Sequence, residues 1–237
     1  MKYLFFFFLF GCVSYNQYDS STVEGSFGLA KALFEDGRYD EAILEFQSVK
    51  NKYPYSKLAT EAELEISNIH FKKEAFPEAQ ASYELFLELH PNHPKNDFVT
   101  YQVGESLFGQ LPSSEDRDLT LAPQAIRTYK MVGKNYPKSE LVALSQERLR
   151  EVYGMVAAKE LYVADFYFRT KKFKSAIIRY EKFLKEFPLH DKAAHAMMRM
   201  GLSADKTLET KKRDESFQKL IEKFPESPEA LSIKKRI

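Results

Sequence analysis

Two histidines and three carboxylates come nearest to a reactive grouping in this chain of 237 residues. His90 and His93 flank Pro91 at a spacing that could offer two ring nitrogens to a metal, and Glu61, Glu63 and Glu65 alternate along the segment before them. A metal site needs three or four ligands, and neither a cysteine nor a third histidine lies near the pair. They read as a surface histidine pair in a turn. Three acids at alternate positions of a helix spread around its axis, so they read as solvated groups and not as a paired acid and base. No Gly-x-Ser-x-Gly, His-Glu-x-x-His or glycine-rich phosphate loop occurs. The sequence therefore predicts no enzyme, no metal and no cofactor.

Composition narrows the partners. With 44% hydrophobic and 29% charged residues the chain can bury a core. Lys and Arg number 35 against 34 for Asp and Glu, a balance that lacks the one-sided basic field needed to hold phosphate backbones. Nucleic acid is excluded as an expected partner.

The elements that would carry a binding surface follow from a repeated pattern. Tyr39, Ala42, Phe46, Pro54 is followed by Phe76, Ala79, Tyr83, Pro91; by Ala125, Tyr129, Pro137; by Phe173, Ala176, Tyr180, Pro188; and by Phe217, Pro225. This is the second half of the tetratricopeptide repeat, a helix-turn-helix unit of about 34 residues. Small residues let two helix axes approach, glycine at Gly37 suits the positive φ of a helix end, and proline stops the second helix. The fold class expected is all-α: a right-handed α-solenoid of about five tetratricopeptide-like hairpins, whose faces are buried only against neighbouring copies. The repeats run over about 23–56, 60–93, 97–138, 139–189 and 194–227 within a domain of 23–237. In the third, Ala125 follows Gly104 by 21 residues where Ala42 follows Ala30 by 12, so a polar insertion at 110–118 should project from the body. The segment from Ser139 to Arg169 lacks proline and predicts one long helix, with Gly154 its weak point. The fifth repeat has Arg213 where the others have alanine.

Aligned to the repeat, the first-helix positions that line a concave groove are Phe27, Lys31 and Phe34; Leu64, Asn68 and Phe71; Tyr101, Glu105 and Phe108; Leu161, Asp165 and Phe168; then Met198 and Leu202. An apolar floor with scattered polar groups suits an extended peptide carrying aromatics. Lys31 and Asn68 are expected at the surface, whereas Phe34 and Phe71 are equally suited to core packing. The carboxylate clamp of some tetratricopeptide proteins wants lysine at the Phe27 position and asparagine at the Lys31 position, so binding of chaperone tails is not expected.

The first residues are different in kind. Met1-Lys2 precedes a run from Tyr3 to Phe10, then Gly11 and Cys12, the only cysteine. A short positive end, an apolar core and a small residue read as an export signal over 1–11. The run is too short to span a bilayer, which takes about 20 residues as a helix. Leu9-Phe10-Gly11-Cys12 is similar to the bacterial lipobox, which implies cleavage before Cys12 and its lipidation. The polar stretch after it, to residue 22, reads as a tether.

The segment from Pro91 to Gly104, with His93-Pro94, Asp97-Phe98-Val99, Tyr101 and Gly104, resembles the join between repeats two and three in the BamD (ComL) family of outer-membrane β-barrel assembly lipoproteins. Asp116-Arg117-Asp118 in the insertion and Val163-Ala164-Asp165-Phe166-Tyr167 in the fourth repeat extend the resemblance to nearly the whole mature chain. It implies a lipid-anchored scaffold on the outer membrane, facing the periplasm. The expected partners are a BamA-like barrel protein, other subunits of the assembly complex and unfolded outer-membrane protein precursors. It further implies that the groove of Phe27, Lys31, Phe34, Leu64, Asn68 and Phe71 receives the aromatic C-terminal signal of those precursors. The alternative is a periplasmic scaffold of the same repeat type in peptidoglycan or Tol-Pal coordination, which a coiled-coil segment ahead of the repeats would favour.

Overall fold

A computed structural model describes residues 18–114 and 116–235. Cys12 and the expected signal lie outside the described residues. Among those described, all regular structure is helical, in the order α1 (Val23–Glu35), α2 (Tyr39–Lys52), α3 (Lys57–Lys72), α4 (Phe76–Leu89), α5 (Asn96–Gly109), α6 (Ala122–Asn135), α7 (Leu141–Arg169), α8 (Phe173–Glu186), α9 (Ala193–Lys206), α10 (Thr210–Lys223) and α11 (Pro228–Lys234). The fold is all-α and built of tetratricopeptide-like hairpins.

The repeat pattern explains the helices one by one. Every second helix of a pair is 14 residues long, set by the turn before it and the proline after it. The small and aromatic positions are the core: Ala30, Ala42, Phe46, Ala79, Tyr83, Ala164, Ala176 and Tyr180 are all 0% exposed. Burying one such aromatic or aliphatic side chain is worth about 1.5–3 kcal/mol. Four inter-helix turns share one hydrogen-bond scheme, in which the amides of Arg38, Ala75, Lys172 and Glu209 donate to the carbonyls of Leu33, His70, Tyr167 and Ala204. That Schellman closure requires a left-handed residue just before the donor, and Gly37, Glu74, Lys171 and Leu208 all have φ between 57° and 75°. Only the first is glycine.

Two compact units result, one reaching to Gly109 and the other starting at Gln110. In the first, α1 packs on α2, α2 on α3, α3 on α4 and α4 on α5. Residues 18–22, expected as tether, are bonded to this unit. The Thr22 hydroxyl caps α1 by accepting from the Gly25 amide, Ser26 Oγ donates to the Ser20 carbonyl, and Tyr53 donates to the Ser21 carbonyl across 2.8 Å. The folded body thus begins before Val23.

In the second unit α6 packs on α7, α7 on α8, α8 on α9 and α9 on α10, while α11 lies against α9 and α10. The third repeat is divided, α5 belonging to one unit and α6 to the other. Helix α7 runs unbroken for 29 residues through Gly154, about 44 Å at 1.5 Å per residue. In the fifth pair the Phe217 ring lies on the bare backbone of Gly201, where an added Cβ would come within 2.4 Å of it. Arg213 then turns outward and bridges Asp205 and Asp214.

Candidate functional site

The six groove positions of the first unit come from α1 and α3, and their side chains are used unequally. Leu64 is 2% exposed, a core residue and not a contact surface. Phe27 lies edge-on to Phe46 at 5.3 Å, Phe34 packs on Tyr39 at 5.8 Å and Phe71 meets Phe76 at 5.5 Å. These three rings are partly buried, so each presents one face to the core and keeps some accessible surface. Lys31 is exposed.

Asn68 departs from its expectation as a free surface group. Its amide nitrogen donates to Glu65 at 3.1 Å and its oxygen accepts from the Tyr83 hydroxyl at 2.7 Å. The amide has a second N–H to offer a ligand carbonyl. Substituting Asn68 removes the acceptor of a buried tyrosine, so the change is not neutral for stability.

The same arrangement recurs in the second unit with charge added. Tyr180, at the position of Tyr83, donates to Asp165, at the position of Asn68, across 2.5 Å. His195 lies 3.3 Å from both oxygens of that carboxylate, and Arg199 Nη1 is 3.1 Å away. Arg199 also covers the Phe168 ring at 4.8 Å, a cation–π contact. Burial pushes the Asp165 carboxyl up, but hydrogen bonds from His195 and Tyr180 and the Arg199 charge outweigh it and hold the group below its ordinary range. Burial, with Asp165 beside it, raises the Tyr180 hydroxyl far above the usual phenol range.

The carboxylates of α3 also depart from their expectation as solvated groups. Glu63 meets His90 at 2.6 Å and Lys50 at 3.1 Å, and Glu61 meets Lys95 at 2.7 Å and His93 at 3.7 Å. They are paired, not merely solvated, because the chain after α4 folds back over α3. Both histidine rings pack on Phe86, at 4.8 and 5.1 Å. Among the described residues no group of three histidine, cysteine, aspartate or glutamate side chains could hold a metal. This cluster ties the segment between α4 and α5, and Lys50 of α2, to α3 electrostatically. Burial raises Glu63, yet His90 and Lys50 together hold it low.

One signal for the tyrosine bridges does exist in the sequence. Where the groove position is Asn68 or Asp165, the buried aromatic opposite is Tyr83 or Tyr180; where it is Lys31, the aromatic is Phe46. A hydroxyl is present where an acceptor faces it. Among the described residues no helix is long and apolar enough to cross a membrane.

Comparison with known proteins adds the lineage. The family profile YfiO, described as outer membrane lipoprotein, matches residues 22–216. The outer membrane protein assembly factor BamD of Vibrio cholerae serotype O1 is 25% identical over 184 residues, spanning 74% of this chain and 76% of that protein. BamD of Neisseria meningitidis serogroup A is 22% identical over 216 residues, 87% of this chain and 81% of its own. Among solved structures, that of MamA superposes with a TM-score of 0.42 at 18% identity, over 82% of this chain and 93% of its own.

Proposed function

The chain belongs to the YfiO family of outer membrane lipoproteins, and on that premise we propose that it is a non-catalytic scaffold for the assembly of β-barrel proteins into the outer membrane. The observation that carries this reading is its similarity, over most of its length, to proteins named as outer membrane protein assembly factors. Lipidation at Cys12 holds it to the membrane, with the helical body in the periplasm. Two or three acyl chains give durable attachment where one gives marginal binding.

Within that role the groove of the first unit takes the aromatic end of an unfolded barrel precursor. Phe27, Phe34 and Phe71 offer partly exposed ring faces, Leu64 backs them from the core, Lys31 meets a terminal carboxylate and Asn68 a backbone carbonyl. A BamA-like barrel protein and further assembly subunits are its stable partners. Affinity isolation of the tagged chain from detergent-solubilised outer membranes tests this. The expected result is co-purification of a barrel protein with periplasmic domains, together with lower barrel content in outer membranes after depletion of the chain. Unchanged barrel content in depleted cells overturns the assembly role.

A further inference from the structure

Tyr55 is 101% exposed, an aromatic ring held in solvent at the turn between α2 and α3. The fold puts it there. Pro54 stops α2, the Ser56 amide donates to the Tyr53 carbonyl at 2.9 Å, and Ser56 Oγ caps α3 by accepting from the Leu58 amide at 3.1 Å. Packing does not ask for an aromatic at this tip, because the residue after the corresponding proline in the later repeats is Asn92, Lys138, Leu189 or Glu226.

The turn is also basic. Lys50, Lys52 and Lys57 flank it, and no acid occurs between Glu45 and Glu61. Lys50 is taken by Glu63 at 3.1 Å, but Lys52 and Lys57 are exposed and no ion pair among the described residues engages them. A phenol ring with cations beside it matches a membrane–water interface of anionic lipid. Tyrosine concentrates at the headgroup level of bilayers, and lysines close to a negatively charged leaflet are drawn to it.

Position singles this turn out. Helices α1 and α3 start, and α2 ends, on one edge of the first unit. There the Tyr53 hydroxyl donates to the Ser21 carbonyl at 2.8 Å, so the turn lies against the segment that leads back to Cys12. Asp19, an acid on that segment, is occupied by the Ser21 amide at 2.9 Å and the Ser21 hydroxyl at 2.6 Å. Residues 13–17 alone lie between Cys12 and Tyr18.

We infer that the turn between α2 and α3 is a second membrane contact, at which Tyr55 enters the headgroup layer of an anionic lipid surface and Lys52 and Lys57 meet lipid phosphates. The inference rests on lipidation of Cys12, which brings the turn to that surface. The contact stands α1, α2 and α3 end-on to the bilayer.

The chain has no tryptophan, so Tyr55→Trp supplies a single indole reporter at the turn. Glu35→Trp, in a separate chain, supplies one at the far end of α1. Each lipidated full chain is placed on vesicles of phosphatidylethanolamine and phosphatidylglycerol. Flotation reports the anchor, and quenching by lipids brominated on the acyl chain reports the turn. Emission from Tyr55→Trp should shift to the blue and be quenched at least about threefold more strongly than that from Glu35→Trp. Adding Lys52→Glu/Lys57→Glu should remove at least about half of that quenching and leave flotation unchanged. Floating chains whose two reporters are quenched alike, or whose quenching survives the lysine changes undiminished, overturn the contact and leave the anchor standing. Chains that stay in solution because Cys12 carries no lipid overturn the anchoring reading, and the contact with it.

Discussion

The Tyr180 hydroxyl donates to the Asp165 carboxylate across 2.5 Å, tying the two helices of one hairpin together at a point that also meets His195 and Arg199 of the next. Its neutral counterpart is Tyr83 with Asn68. Hydrogen bonds to charged groups are worth about 1.5–3 kcal/mol and neutral ones about 0.5–1.5. Tyr180→Phe should therefore lower unfolding free energy more than Tyr83→Phe in urea titrations. The reverse order would mean that Arg199 and His195 satisfy Asp165 unaided.

Ala176 is 0% exposed in the tight contact of α8 with its neighbours. Ala176→Asp places an unpaired carboxylate there and should cost several kcal/mol, on the order of other buried unpaired charges. A thermal melt matching the wild type would displace the register of the fourth repeat.

Asp165 and Glu63 are both held below their ordinary range in the folded chain. A lowered folded pKa contributes stability that is complete above the unfolded value, about 4, and is lost as pH falls through the folded value. Melting temperature should be level from pH 7 to about 5 and decline below that. Asp165→Asn should flatten the part of the decline that belongs to the second unit. An equally steep decline in the variant would assign the acid sensitivity elsewhere.

Lys31 is the cleanest probe of the first groove, because it is exposed while Asn68 holds Tyr83. Lys31→Glu should leave stability within about 0.5 kcal/mol and weaken binding of a synthetic peptide copying the last strand of an outer-membrane barrel. Asn68→Ala should weaken the same peptide and also cost about 1 kcal/mol of stability. Peptide affinity unchanged in both folded variants would remove the site from this groove.

Cys12→Ala should leave the chain unlipidated and release it from the membrane fraction on a salt wash. Retention after the wash, with normal processing, would show an anchor other than this cysteine.

The legible part of the fold was whatever repeats. Ala42, Ala79 and Ala176, each with the aromatic four residues on (Phe46, Tyr83 and Tyr180), recur at fixed spacing and all prove fully buried, because the same helix contact imposes the same size limit each time. The pairing of Glu63 with His90 was not legible. It joins residues 27 apart in sequence and depends on where the end of α4, capped by His90, comes to lie on α3, which no local pattern states. Gly37 advertises its left-handed corner, but Glu74, Lys171 and Leu208 form the same corner without the residue that would advertise it. In the groove, side-chain type identified positions and not availability: Leu64 and Asn68 are held by the structure, while Lys31 is exposed.

On the proposed lipidation of Cys12, the knot formed by residues 18–22 on α1 and α2 would shorten the leash of this protein. Six peptide steps separate Cys12 from Tyr18, and an extended chain covers at most about 3.6 Å per residue. With its lipid in the bilayer, the first hairpin would ride within roughly 20 Å of the lipid headgroups and could not swing far from them. Lengthening the stretch between Cys12 and Tyr18 would then change how far into the periplasm the first groove can reach for a passing chain, without altering a single contact inside it.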